Sequence, residues 1–157
     1  MDKVAISLLA VLLIGPALDQ DSVAAEVKQE ILESFEYTRQ NLKTRPEDYS
    51  SQGALEFWSS GGLLNEVGPN DRIESFEVFS CVAKHIRVIP LGEGVAVAHY
   101  YSEGAMQPKG HPGVPHYLTR ASQVFVKEDG KWKIRSSHWS AVMGGSGTTQ
   151  TALQTED

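Results

Sequence analysis

Tyr117 to Gly145 reads YLTRASQVFVKEDGKWKIRSSHWSAVMGG. Glu128-Asp129-Gly130 divides it into two strands, with glycine supplying the positive φ that a tight hairpin turn demands. Side chains alternate along a strand. Trp132, Ile134, Ser136, His138 and Ser140 are therefore expected on one face, and Lys133, Arg135, Ser137, Trp139 and Ala141 on the other. The first face begins with large apolar groups and ends with a histidine between two serines. An apolar face that turns polar toward its end fits the wall of a pocket better than a plain core.

Upstream, the pattern changes from strands to helix. Val23, Val27, Ile31, Phe35 and Leu42 recur at helical spacing, which predicts a helix over Ser22–Lys43, closed by Pro46. Glu30, Glu33 and Glu36 read as a solvated face of that helix. Glu47 to Glu56 reads as a short second helix, Leu63 to Val67 as a strand, and Ile73 to Phe79 as either. Val82–Ile89 and Val95–Glu103 are long strands. Gly104 to His116, with three glycines and three prolines, reads as a long loop of the kind that often forms a lid. Helix first and antiparallel strands afterwards predict an α+β fold. A curved antiparallel sheet wrapped around the long helix would enclose a pocket.

The chain has 157 residues, 41% hydrophobic and 22% charged, which suits one globular domain. A net charge of −6 and the absence of a basic run argue against nucleic acid as a partner. The single Cys81 excludes an intrachain disulfide and reads as a buried structural thiol. Val4 to Leu18 is almost unbroken apolar sequence after Lys3. It is short for a membrane span and fits the core of an export signal, with small-residue cleavage sites at residues 15–17 or 22–24. The expected organisation is a signal peptide over 1–24, a domain over 25–143 and a polar, mobile tail over 144–157. Cleavage would release an exported protein, periplasmic or in an organelle lumen, with no membrane anchor.

The long helix, a Trp-containing segment and long strands ending in Asp129-Gly130-Lys131-Trp132-Lys133-Ile134, then His138 and Ser140, resemble the nuclear transport factor 2-like superfamily. The closing strand is similar to that of its calcium/calmodulin-dependent kinase association-domain branch. The resemblance implies a cone-shaped α+β barrel and a homodimer. Tyr100–Gly104 (YYSEG), His116–Arg120 (HYLTR) and Arg135–Ser140 (RSSHWS) are similar to the metal-free iota-class carbonic anhydrases. Metal-binding members of that class carry several histidines at the closing strand, where this chain keeps only His138. The resemblance thus implies hydration of carbon dioxide to bicarbonate with no metal and no cofactor. Ser140, His138, Thr38 and Tyr49 would hold and deprotonate the water, since hydroxyls orient water and histidine relays protons near neutrality. Phe57, Trp58, Val95 and Val97 would form the apolar slot, and His99, Tyr117 and Arg120 would meet the substrate or its anionic product.

Each of these residues also has a plainer reading. His138 serves equally well as a hydrogen-bonded core histidine, and Trp58 and Trp132 as core. Two other functions stay open. An isomerase or dehydratase of the same fold needs an inward carboxylate with a raised pKa, for which Glu103 and Glu66 are the candidates. A binding module would hold a small carboxylate through Arg120 and Tyr117 and pair through its convex face.

Overall fold

The computed structural model describes residues 20–69, 71 and 75–147, so the apolar Val4–Leu18 stretch lies outside the described residues. Helix α1 spans Gln20–Asn41 and buries Val27, Ile31, Phe35 and Thr38, a stripe at three- and four-residue spacing. The expected domain boundary at residue 24 falls within its opening turns. Leu42, at φ 52°, closes the helix in the left-handed conformation, and its N–H donates to the Thr38 carbonyl.

Where a second helix was expected, the chain makes only a 3-10 turn over Pro46–Asp48 and then enters strand β1 (Ala54–Phe57). Gly53 makes this path possible. At φ 76° a Cβ on it would lie 2.4 Å from the Val67 carbonyl oxygen, so only glycine fits beside β2 (Asn65–Val67). Strands β3 (Phe76–Phe79), β4 (Val82–Gly92), β5 (Val95–Pro108), β6 (Val114–Glu128) and β7 (Lys131–Ala141) complete the sheet. Its order is β2-β1-β7-β6-β5-β3, with β4 also on β5. All pairs are antiparallel except β1 with β7, so the expected antiparallel sheet is in fact mixed.

The sheet curls around α1. Ala96, Ala98, Tyr100 and Ser102 of β5, with Tyr117, Thr119, Ala121, Gln123 and Phe125 of β6, form its buried concave face. Phe35 of α1 packs edge-on against Tyr100, ring centroids 5.9 Å apart. Asp129 and Gly130 both take positive φ in the expected hairpin turn. The expected long loop is largely strand: β5 runs to Pro108 and β6 starts at Val114, leaving only 109–113 to connect them. Nor does the tail begin free at residue 144. Ser146 exchanges backbone hydrogen bonds with His116 and Leu118, tying it alongside β6. Residues 148–157 lie outside the described residues.

Candidate active site

The register of β6 with β7 decides which side chains enter the cone. Phe125 pairs with Ile134, but Val124 pairs with Ser136, so Arg135 is an extra residue in a β-bulge. One inserted residue reverses the alternation beyond it. Trp132 and Ile134 face the concave side as expected; past the bulge that side receives Ser137 and Trp139. His138 and Ser140 turn to the outer face, opposite Ser122 and Arg120.

A cavity of about 150 Å³ lies between α1 and the concave face. Its apolar wall includes Ile31, Phe35, Phe79, Met106, Phe125 and Ile134. All three tryptophans of the chain, Trp58, Trp132 and Trp139, line it as well.

Two buried carboxylates line this same cavity, Asp48 at 6% exposure and Glu56 at 3%. Glu56 alternates inward on β1, between exposed Leu55 and Phe57. It accepts from Ser137 Oγ at 2.7 Å, from Trp58 Nε1 at 2.9 Å and, at a long 3.4 Å, from Tyr49 Oη. Gln123 extends the network: its amide donates to Ser137 Oγ at 3.3 Å, and its carbonyl accepts from Tyr100 Oη at 2.7 Å. Burial pushes the Tyr100 phenol well above its ordinary range, so it remains a neutral donor.

Asp48 is held differently. Its carboxylate accepts from Ser34 Oγ at 2.7 Å and from Arg45 Nε at 2.5 Å. Arg45 also pairs with Glu30, another lining residue. Burial raises the Asp48 carboxyl above the usual range, against the pull of Ser34 and Arg45. Burial raises Glu30 likewise, so Glu30 is not the solvated residue its spacing predicted. Glu33 and Glu36 are exposed. At the other polar margin of the cavity, Tyr117 Oη and Ser59 Oγ lie 3.2 Å apart.

The structure thus divides the sequence candidates into two groups. Thr38, Tyr49, Trp58 and Tyr117 line the cavity. His138, Ser140, His99 and Arg120 gather in a groove on the outer face. Phe57 is 46% exposed and stands over the His138 ring rather than in the cavity. Val95, Val97 and His99 do share a face, but it is the outer one, because Ala96, Ala98 and Tyr100 point inward. Arg120 and Tyr117, three residues apart on one strand, point to opposite sides. Glu103 pairs with Lys84 on the outer face and Glu66 is exposed, so neither is the inward carboxylate. Asp48 and Glu56 take that place. The helix expected over 47–56 hid them; the signal available in the sequence was Gly53, a turn residue ahead of the alternating run Ala54–Phe57.

A curled sheet closed over one long helix, with a lined cavity between them, is the nuclear transport factor 2-like fold. Residues 68–144, just under half of the chain, match the SnoaL-like domain family. Similar solved structures include a nuclear transport factor 2-like protein of unknown function from Pseudomonas putida, with TM-score 0.57, 14% identity, and 85% of this chain and 98% of that chain covered. A second, from Streptomyces avermitilis, is provisionally assigned as a dehydratase of this fold; its TM-score is 0.56, its identity 15%, and the coverage 78% and 97%. At such identities the likeness is one of fold alone. No curated protein matches the chain.

Proposed function

We propose that the chain is an acid–base enzyme of the dehydratase or isomerase kind, acting on a small, mostly apolar molecule that carries a carbonyl group. The observation that carries this reading is the pair of buried carboxylates, Asp48 and Glu56, on the wall of one apolar cavity. A carboxyl whose proton affinity is raised by burial is a stronger base than a solvated one and can take and return a proton. Asp48 is the base in this scheme. It removes the proton α to the substrate carbonyl, while the Tyr49 or Tyr117 hydroxyl donates to the oxygen where charge develops. In a dehydration the new C=C bond forms as the β C–O bond breaks. The proton held by Asp48 passes to the leaving hydroxide, which departs as water. In an isomerisation it returns to the γ carbon. Neither course consumes an oxidant, a reductant or a cofactor. Glu56, fixed by its donors, orients Tyr49 and Trp58.

Carbon dioxide hydration is the second reading. Thr38 and Tyr49 line the cavity as it requires, but His138 and Ser140 lie outside it. One experiment separates the two. Chelator-treated protein is given a panel of β-hydroxy ketones, with conjugated enone followed by absorbance, and in parallel carbon dioxide, followed by stopped-flow pH change. We expect enone formation that falls at least about a hundredfold in Asp48→Asn, the range that general acid–base groups contribute. Hydration activity with no enone formation, lost in Thr38→Val and kept in Asp48→Asn, would reverse the order of the two readings.

The homodimer and the export of the chain stand as parts of the same proposal. Sedimentation and N-terminal sequencing of the secreted protein test them.

A further inference from the structure

The outer face of the sheet holds a groove of about 530 Å³, separated from the cavity by the sheet itself. Its floor is a cross-strand row. Arg87 of β4 pairs with His99 of β5, His99 with Ser122 of β6, and Ser122 with His138 of β7. A second row, two residues along, sets Tyr101 beside Arg120 and Arg120 beside Ser140. Arg87 and Arg120, two strands apart in adjacent rows, both line this one groove.

Two departures from regular pairing build this groove. The bulge at Arg135 turns His138 and Ser140 into it. A second shift, between Lys84 and Arg87, makes His85 an extra outward residue at φ 54°, a backbone conformation uncommon outside glycine. The His85 ring stands edge-on to Tyr101, with centroids 6.1 Å apart.

The charge is one-sided. The chain carries 20 acidic and 14 Lys and Arg residues, yet no carboxylate is among the described residues that line the groove. No described carboxylate pairs with Arg87 or Arg120. Arg120 Nε donates to Ser140 Oγ at 2.9 Å, and His99 Nδ1 meets Ser122 Oγ at 2.9 Å, so the groove's polar groups are already oriented. Among the described residues no three His, Cys, Asp or Glu side chains converge as a metal site needs. Guanidinium forks match tetrahedral oxyanions, which accept several hydrogen bonds at once.

We propose that this groove is a second site, for a phosphate-type oxyanion, held by Arg87 and Arg120 with the imidazoles of His99 and His138 and the hydroxyls of Ser122 and Ser140 around it. The anion arrives either as free phosphate or on a small ester whose body lies on Tyr101, which is 43% exposed.

The test is calorimetric titration of the full chain with inorganic phosphate and, separately, with phenyl phosphate, at fixed ionic strength. We expect saturable binding that weakens at least about tenfold in Arg87→Ala/Arg120→Ala, the loss of one charge-assisted hydrogen bond or more. Arg87→Lys/Arg120→Lys, which keeps the charge and loses the fork, should fall between that variant and the wild type. Lys131→Ala, in the distant hairpin, should bind as the wild type does. Tighter binding of phenyl phosphate, reduced in Tyr101→Ala, assigns the site to an ester; equal binding assigns it to free phosphate. The proposal is overturned if binding does not saturate, or if both arginine variants bind unchanged. It is also overturned if the variants shift the oligomeric state while phosphate has no effect, since the groove would then be covered by a second copy.

Discussion

Glu30, Arg45 and Asp48 place two carboxylates around one cation on the cavity wall. Removing Arg45 leaves both acids without their cation, and breaking a buried pair in this way costs about 3 kcal/mol or more. Arg45→Ala should therefore lower the unfolding free energy by about that amount. The loss depends on pH with a definite sign. The folded Asp48 carboxyl already sits above its ordinary value because of burial, and losing Arg45 moves it further up. A group raised on folding contributes stability that is present below its unfolded value and lost as pH rises through its folded one. The deficit of Arg45→Ala should thus be larger at about pH 8 than at about pH 5, as measured by urea denaturation at each. A deficit that shrinks with rising pH would mean that Asp48 is not raised. None of this triad was legible as a unit in the sequence. Glu30 is followed at three-residue spacing by Glu33 and Glu36, and only the return of the chain through Pro46–Asp48 shows which acid faces inward.

At the scale of the element, the period of each strand was readable and its interruptions were not. The hairpin at Asp129-Gly130, the helix and the long strands β4 to β7 follow from turn chemistry and apolar spacing. The bulge at Arg135 leaves no such mark, because Arg135-Ser136-Ser137 has no apolar residue to fix the phase. His138 and Ser140, expected beside Trp132 and Ile134, face the other way for that reason alone. Gly104 misled in a different way. Within Gly- and Pro-rich sequence it reads as loop, whereas its purpose is close approach: a Cβ there would lie 2.6 Å from Cys81 Cα. Gly104→Ala should force β5 away from the β3–β4 corner and lower stability by about 1–3 kcal/mol, as overpacking does. Chemical denaturation checks this; an unchanged midpoint would show that the corner is slack. The same corner buries Cys81 completely and pushes its thiol up to about 11. Cys81 should accordingly resist alkylation in the folded protein and react after unfolding.

For the whole molecule, the curl of one sheet creates two surfaces of opposite character. The concave one is apolar with buried acids; the convex one carries a groove of arginines and histidines. The fold was legible because it rests on the order and length of elements. The site was less so, because it depends on which strand face turns inward. Separate surfaces imply separate energetics, since sites with no shared partners act additively. Arg87→Ala/Arg120→Ala should leave ligand affinity in the cavity unchanged.

That the cavity is the ligand site can be read directly from tryptophan emission, because Trp58, Trp132 and Trp139 all line it. The decisive measurement is a fluorescence titration of the wild type, Glu56→Gln and the double arginine variant with a small aromatic ketone. We predict saturable quenching in the wild type and the double arginine variant, weakened in Glu56→Gln. Quenching that does not saturate, or that is lost in the arginine variant and kept in Glu56→Gln, would contradict the assignment.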